Sequence, residues 1–216
     1  QFIADKARGR QVFGAPTVKD NTAEARAEIA RAVAPALRGA VSKQARAIVQ
    51  FDDSADVLEF VNSARAGELS QVGAACPDHL VHTKRMPLFV DWDGADVEAL
   101  KTNLRDGVAA YQADYESYFK THAAEADKMF NPAPRVVLVR GLGMFTTGKD
   151  AGLAQVSNDL YHRAIAVIRG STALDTFTSL SAAEAFAIEY WPLELYKLAQ
   201  RPPDKDLAGR IALITG

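Results

Sequence analysis

The segment Cys76-Pro77-Asp78-His79-Leu80-Val81-His82-Thr83-Lys84-Arg85 holds the highest density of side chains able to do chemistry. His79 and His82 are three residues apart. That spacing puts both imidazoles on one face of a helix, but on opposite faces of a strand. A zinc ion held there needs Asp78 or a distant residue as a further ligand. A polar loop in which the histidines cap or bridge backbone groups uses the same residues. Lys84 and Arg85 supply cations for a phosphate or carboxylate, or form a solvated basic turn. The candidate ligand-binding set is therefore Asp78, His79, His82, Lys84 and Arg85.

Other motifs carry less. Gly141-Leu142-Gly143 lacks the later glycine of a dinucleotide turn, and Gly148-Lys149-Asp150 lacks the hydroxyl residue that follows lysine in a phosphate loop. Both read as structural turns. Tyr111, Tyr115 and Tyr118 read as one helix face rather than an aromatic cage. Cys76, the single cysteine, reads as inert packing and rules out an intramolecular disulfide, so a reducing cytoplasm is expected.

The elements that must position these residues alternate in type. A helix is expected from Asn21 or Thr22 as cap, carrying Ile29, Val33 and Leu37, and closed at Gly39. Ala45–Phe51 reads as a strand, and Asp52-Asp53-Ser54 as the cap of a helix bearing Val57, Leu58 and Val61. A short helix fits 65–72. Leu80–Thr83 and Pro87–Asp91 read as extended pieces. Asp96–Thr121 is the longest helical pattern, with Val97, Leu100, Leu104, Val108, Tyr111, Tyr115 and Phe119 on one face. Arg135–Arg140 is a strong strand, Met144–Thr147 its return, and a long helix follows Asp150. Ser181–Ala199 is a last amphipathic helix, interrupted or ended near Pro192. Arg201 to Asp206 is a linker by composition. Ile211–Ile214, an apolar run between glycines, reads as a buried strand. It is either this domain's own terminal strand or the first strand of a following domain.

The bulk numbers are permissive. With 216 residues, 48% apolar and 24% charged, the chain can fill a core without staples. A net charge of −2 gives no bulk signal for nucleic acid. No run approaches the roughly 20 apolar residues of a membrane span. The start, Gln1-Phe2-Ile3-Ala4, has no signal-peptide pattern and reads as the interior of a longer polypeptide.

The run Val136-Val137-Leu138-Val139-Arg140-Gly141-Leu142-Gly143-Met144-Phe145-Thr146-Thr147-Gly148-Lys149-Asp150 is similar to the closing part of a class II aldolase/adducin module. There a strand enters a histidine-containing glycine turn, returns, and leads into a long helix. The turn histidine, a zinc ligand in that family, aligns with Leu142. Ala47 to Ser54 resembles the family's His-x-His strand, with Gln50 and Asp52 at the two histidine positions. The resemblance thus implies that the zinc triad is replaced by Gln50, Asp52 and Leu142 and that this segment holds no metal.

The chain as a whole, including Glu189-Tyr190-Trp191-Pro192-Leu193-Glu194 and the terminal Leu-Ala-Gly-Arg-Ile-Ala-Leu-Ile-Thr-Gly, resembles the middle of bifunctional aldolase/short-chain dehydrogenases. These resemble a rhamnulose-1-phosphate aldolase fused to an alcohol or aldehyde dehydrogenase. The resemblance implies an α/β sandwich with a largely antiparallel, helix-flanked sheet over 1–200, a linker over 201–206, and the first strand of a short-chain dehydrogenase domain over 207–216. It implies zinc-dependent lyase and NAD-dependent oxidoreductase activities in carbohydrate metabolism for the parent chain. No cofactor-binding residue is assigned in this segment. The expected role here is a zinc-less structural or oligomerisation module, inactive alone, with the flanking domains and further copies of itself as partners. The alternative is a residual sugar-phosphate or metal site around Asp78–Arg85.

Overall fold

Val136-Val137-Leu138-Val139 is apolar at every position, which suits a strand covered on both faces. It forms β3 (Val136–Val139), and the glycine turn after it returns the chain as β4 (Gly143–Gly148); both strands are buried throughout. The computed structural model describes residues 1–8, 12–19, 21–200, 203 and 206–215. Two further strands complete one sheet: β1 (Ile48–Asp52) and β2 (Leu88–Val90), in the order β1-β4-β3-β2. β4 runs antiparallel to β1 and β3, whereas β2 and β3 are parallel. The sheet is therefore mixed, not largely antiparallel as expected. The cause is the connection: a 26-residue helix, α6 (Val97–His122), carries the chain from β2 back to the start of β3.

The sheet divides two cores. On one face lie α6 and α2 (Ala23–Val41), whose Val33, Leu37, Leu100, Leu104 and Val108 meet Val137, Val139 and Phe145. On the other lie α3 (Ala55–Val61) and α7 (Ala151–Leu174). Their Val57, Phe60, Tyr161, Ile165 and Ile168 meet Val136, Leu138 and Met144. The alternation along β3 and β4 assigns each residue to one core. α1 (Phe2–Ala7) packs against α7.

The cap expected at Thr22 forms, whereas Ser54, expected to cap α3, makes no side-chain capping hydrogen bond. Thr22 Oγ1 accepts from Ala25 N, Asp96 from Glu98 N and Ala99 N, and Asp150 from Leu153 N, satisfying donors that open each helix. Gly39 does not close α2, which continues to Val41 and ends against Ser42. The short helix α4 (Ala66–Ser70) lies within the expected span. The last helical pattern breaks in two at Pro192, into α8 (Ala182–Glu189), opened by a Ser181–Glu184 capping box, and α9 (Pro192–Ala199).

The segment after Cys76 departs from expectation too. Leu80–Thr83 is not extended. Pro77 opens a 3-10 turn, Pro77–His79, and the chain continues into a single helical turn, α5 (Leu80–Thr83). Of the two readings of Ile211–Ile214, that of a strand in this domain's own sheet does not hold: residues 211–215 carry no regular structure, and Leu213 and Ile214 are 89% and 90% exposed. Gly209 instead packs against Arg46, and Arg38 donates to its carbonyl at 3.0 Å. Most of the expected linker, 201–206, lies outside the described residues. No helix among the described residues is long and apolar enough to cross a membrane.

Gly143, where the turn enters β4, has φ 144°, and a Cβ there would lie 2.6 Å from the carbonyl oxygen of Asp52. Gly143→Ala is therefore expected to lose roughly 2 kcal/mol or more of stability, from backbone strain and overpacking. A urea unfolding midpoint equal to that of the unsubstituted protein would refute this account of the β1–β4 pairing.

Candidate functional site

The resemblance places Gln50, Asp52 and Leu142 where a metal would be held, and the fold separates them. Gln50 pairs with Thr146 and Asp52 with Met144, so both residues face α7. Leu142 is fully buried in the opposite core, with Phe145 and Leu104. The donors near α7 are already occupied. Gln50 Nε2 donates to Gln155 at 2.6 Å. Asp52 Oδ1 accepts from Ser54 N at 2.9 Å, and its Oδ2 faces Asn158 Nδ2 at 2.8 Å and His162 Nε2 at 2.7 Å. A carbon side chain in a core, a primary amide and one carboxylate do not make a zinc site. Among the described residues no group of three or more His, Cys, Asp or Glu is placed to hold a metal ion.

What Asp52 does hold is a histidine. His162 Nδ1 lies 2.7 Å from Asp56 Oδ2, as its Nε2 does from Asp52. Ionised carboxylates only accept, so both ring nitrogens must donate, which requires the imidazolium. Partial burial works against the charge on His162, but the two carboxylates outweigh it and raise the histidine above its ordinary 6.5. Burial likewise pushes Asp52 up, and the hydrogen bonds from Ser54, His162 and Asn158 together bring it down to about 2. This triad closes β1 and α3 onto α7. His162 is absent from the candidate set read from sequence. The available signal was Asn158 and His162 four residues apart on α7, facing Asp52 and Asp56.

The cavity lies elsewhere. A pocket of about 360 Å3 is lined by His82 of α5, Lys84, Arg135, Lys149, Thr147 and Gly148 of β4, Ser157 of α7 and Glu189 of α8. It opens where Gly148 lets β4 turn tightly into α7; a Cβ at Gly148 would lie 2.4 Å from Ala154 N. Three cationic side chains and one carboxylate line one concave space.

The deepest of these groups are Lys84 and Glu189, 4% and 1% exposed. Tyr115 Oη donates to Glu189 Oε1 at 2.6 Å, and Tyr118 Oη to Oε2 at 3.3 Å. Tyr190 Oη lies 2.8 Å from Tyr115 Oη. Lys84 Nζ sits 3.3 Å from the centroid of the Tyr115 ring, a cation–π contact. Burial raises the Glu189 carboxyl, while Lys84, both tyrosines and Arg85 oppose it. Burial lowers Lys84 to about 7; Glu189 favours its charge and Arg135 disfavours it. Arg135 is lowered too, first by burial.

Of the five residues proposed from sequence, His82 and Lys84 line this cavity. Asp78 is exposed on the 3-10 turn. His79 faces a small recess beside Tyr161, Ala164 and Ile168. Arg85 turns the other way, into a cleft of about 100 Å3 with Met86 and Tyr111, over the Tyr118 ring. The helical turn separates the two histidines that strict helical spacing would align. Sequence reading missed Arg135, Lys149 and Glu189 as members of the site. Glu189 was signalled by Ala182, Ala185, Phe186 and Glu189 at helical spacing, which puts a carboxylate on the apolar face of α8. Gly141-Leu142-Gly143 is structural, since Gly141 N donates to Asn62 Oδ1 and its carbonyl accepts from Asn21.

The family described as "Aldolase class II, second domain" matches residues 28–198. A protein of Bacillus subtilis (strain 168), named "uncharacterized oxidoreductase YuxG", is 46% identical over 218 aligned residues, which take in all of this chain and 32% of that protein. The chain therefore spans about a third of that relative's length. No solved structure matches the chain.

The Asp52–His162–Asp56 triad makes a pH-dependent contribution to stability. The raised histidine stabilises fully below 6.5 and loses that contribution as pH rises through its folded value; the lowered Asp52 stabilises above 3.8 and loses it as pH falls towards about 2. The stability difference between the unsubstituted protein and His162→Gln should be largest between those limits and shrink above pH 6.5, read by thermal unfolding across a pH series. A difference that grows with pH would mean that the ring is neutral.

Proposed function

The chain belongs to the family of class II aldolase second domains, and on that footing we propose that it is the small-molecule-binding part of a longer bifunctional protein. The cavity takes a phosphorylated hydroxy-carbonyl compound of the sugar type. One observation carries this reading: the cations Lys84, Arg135 and Lys149 converge with Glu189 on one pocket large enough for such a compound. Arg135 presents a planar fork suited to two phosphate oxygens, and Lys149 a point charge beside it. Both Glu189 oxygens accept from tyrosines yet keep lone pairs for a substrate hydroxyl. Thr147 and Ser157 add short polar walls.

A silent scaffold is the competing reading. It draws on Trp191, Leu193 and Tyr196, which are exposed together at and along α9 and would suit contacts between copies. The charged cavity favours binding over scaffold alone, because burying a lysine and a carboxylate costs stability that a purely structural domain avoids with apolar residues. The longer protein is proposed to join a sugar-phosphate aldolase to an NAD-dependent short-chain dehydrogenase in the cytoplasm. The family match supports the aldolase part of this proposal, and the oxidoreductase name of the Bacillus relative the oxidoreductase part. Zinc and NAD belong, in this proposal, to the flanking parts, and the residues here perform binding, orientation and proton handling.

Calorimetric titration with dihydroxyacetone phosphate is expected to show saturable binding. Arg135→Gln should weaken it on the order of tenfold or more through the lost charge-assisted hydrogen bonds. No heat with dihydroxyacetone phosphate or inorganic phosphate, together with a stable oligomer by native mass measurement, would favour the scaffold.

A further inference from the structure

The helix α7 is 24 residues long, and the core claims only one side of it. Tyr161, Ala164, Ile165 and Ile168 point inward. On the opposite side Gln155, Val156, Asp159, Arg163, Ala166 and Val167 are exposed. These positions recur every three or four residues, so they form one strip along the helix. Apolar surface widens the strip towards its C-terminal end. Val167 and Leu174 are 42% and 45% exposed, and Ile3 of α1 lies against Gly170, leaving Phe2 and Ile3 67% and 51% exposed.

The charges at the centre of the strip differ from those elsewhere on the surface. Lys101 pairs with Glu98, Arg65 with Glu68 and Arg169 with Glu59, all within the chain. Asp159 and Arg163 stand four residues apart, a spacing that suits an ion pair on a helix. They do not pair; Asp159 Oδ1 instead accepts from Gln155 Nε2 at 2.8 Å. Two copies of α7 can satisfy both charges. An antiparallel crossing about a two-fold axis level with Tyr161 sets Asp159 of each copy against Arg163 of the other, so one pair of residues supplies two intermolecular ion pairs. The same crossing sets Val156 against Ala166 and Gln155 against Val167. A parallel crossing would set like charges side by side, which disfavours it.

We propose that the outer face of α7, widened by α1, docks a second copy of this chain through reciprocal Asp159–Arg163 ion pairs. This does not depend on what the cavity binds. The strip from Gly152 to Gly170 runs about 27 Å along the helix. At one helix diameter in width it falls short of the roughly 800 Å2 per partner of a standard interface, so the dimer is a weak one that forms at micromolar concentrations. Its central ion pairs make it sensitive to salt.

Sedimentation velocity on the 216-residue protein tests this, over a range of about 1 to 200 μM. The expected result is a reversible monomer–dimer equilibrium that shifts to monomer as salt is raised. Asp159→Arg and Arg163→Asp each oppose like charges twice across the axis, and each should weaken the dimer about tenfold or more. The double variant carrying both reversals should restore it. A monomer throughout the range overturns the proposal and leaves this face to another part of the longer protein. A dimer unchanged by either single reversal overturns it as well, and moves the contact to another face such as α9. Loss of the dimer in the single variants without recovery in the double one also overturns it, because the two charges then do not meet.

Discussion

A carboxylate almost wholly removed from water sets the terms for this end of the molecule. Glu189 is held by hydroxyls from two turns of α6, by a lysine from the loop after α5, and by the position of α8, which carries it. Losing the short hydrogen bond from Tyr115 would leave one oxygen of this buried carboxylate unsatisfied, a costly change. The aromatic cluster follows from the same need. Tyr190 bonds to Tyr115 and accepts from Phe130 N, and Phe186 stacks on Tyr190 at 4.4 Å, so one polar requirement organises a largely apolar corner. The cavity exists because these groups meet at a common point.

The mixed sheet supplies the rigid reference. β3 and β4 are covered on both faces, so their positions are fixed by two cores rather than one. Arg140, just after β3, pins the outer loops: it pairs with Asp91 at 2.5 Å, donates to Ser63 O, and also reaches Thr17. Against that frame, α7 presents Leu153 and Ser157 to the cavity and Asn158 and His162 to Asp52. One helix thus serves both polar clusters on successive turns.

Much of the frame was legible in the sequence because it depends on local patterns. The cap at Thr22, the apolar run at 136–139 and the break at Pro192 are each readable within a few residues. Sheet order was not, because it depends on how long a connection runs before it returns. Two members of the candidate site, His82 and Lys84, came from one segment, 76–85, which is dense in polar groups. The remainder, Arg135, Lys149 and Glu189, lies scattered over the chain and converges only through tertiary packing. His79 and Arg85 left the site for a stereochemical reason: a 3-10 turn followed by one helical turn rotates successive residues into three directions. The terminal apolar run does not join this sheet: the chain passes over Arg46 at Gly209 and continues without regular structure.

That last feature bears on how the protein behaves in a tube. Ile211, Leu213 and Ile214 stand in water within an uncharged stretch rich in β-branched residues, with no proline or acidic residue among residues 211–215 to interrupt it. Segments of this composition, once extended and unpaired, template on one another edge to edge. A lysine placed within residues 211–215 would act as a gatekeeper against such pairing.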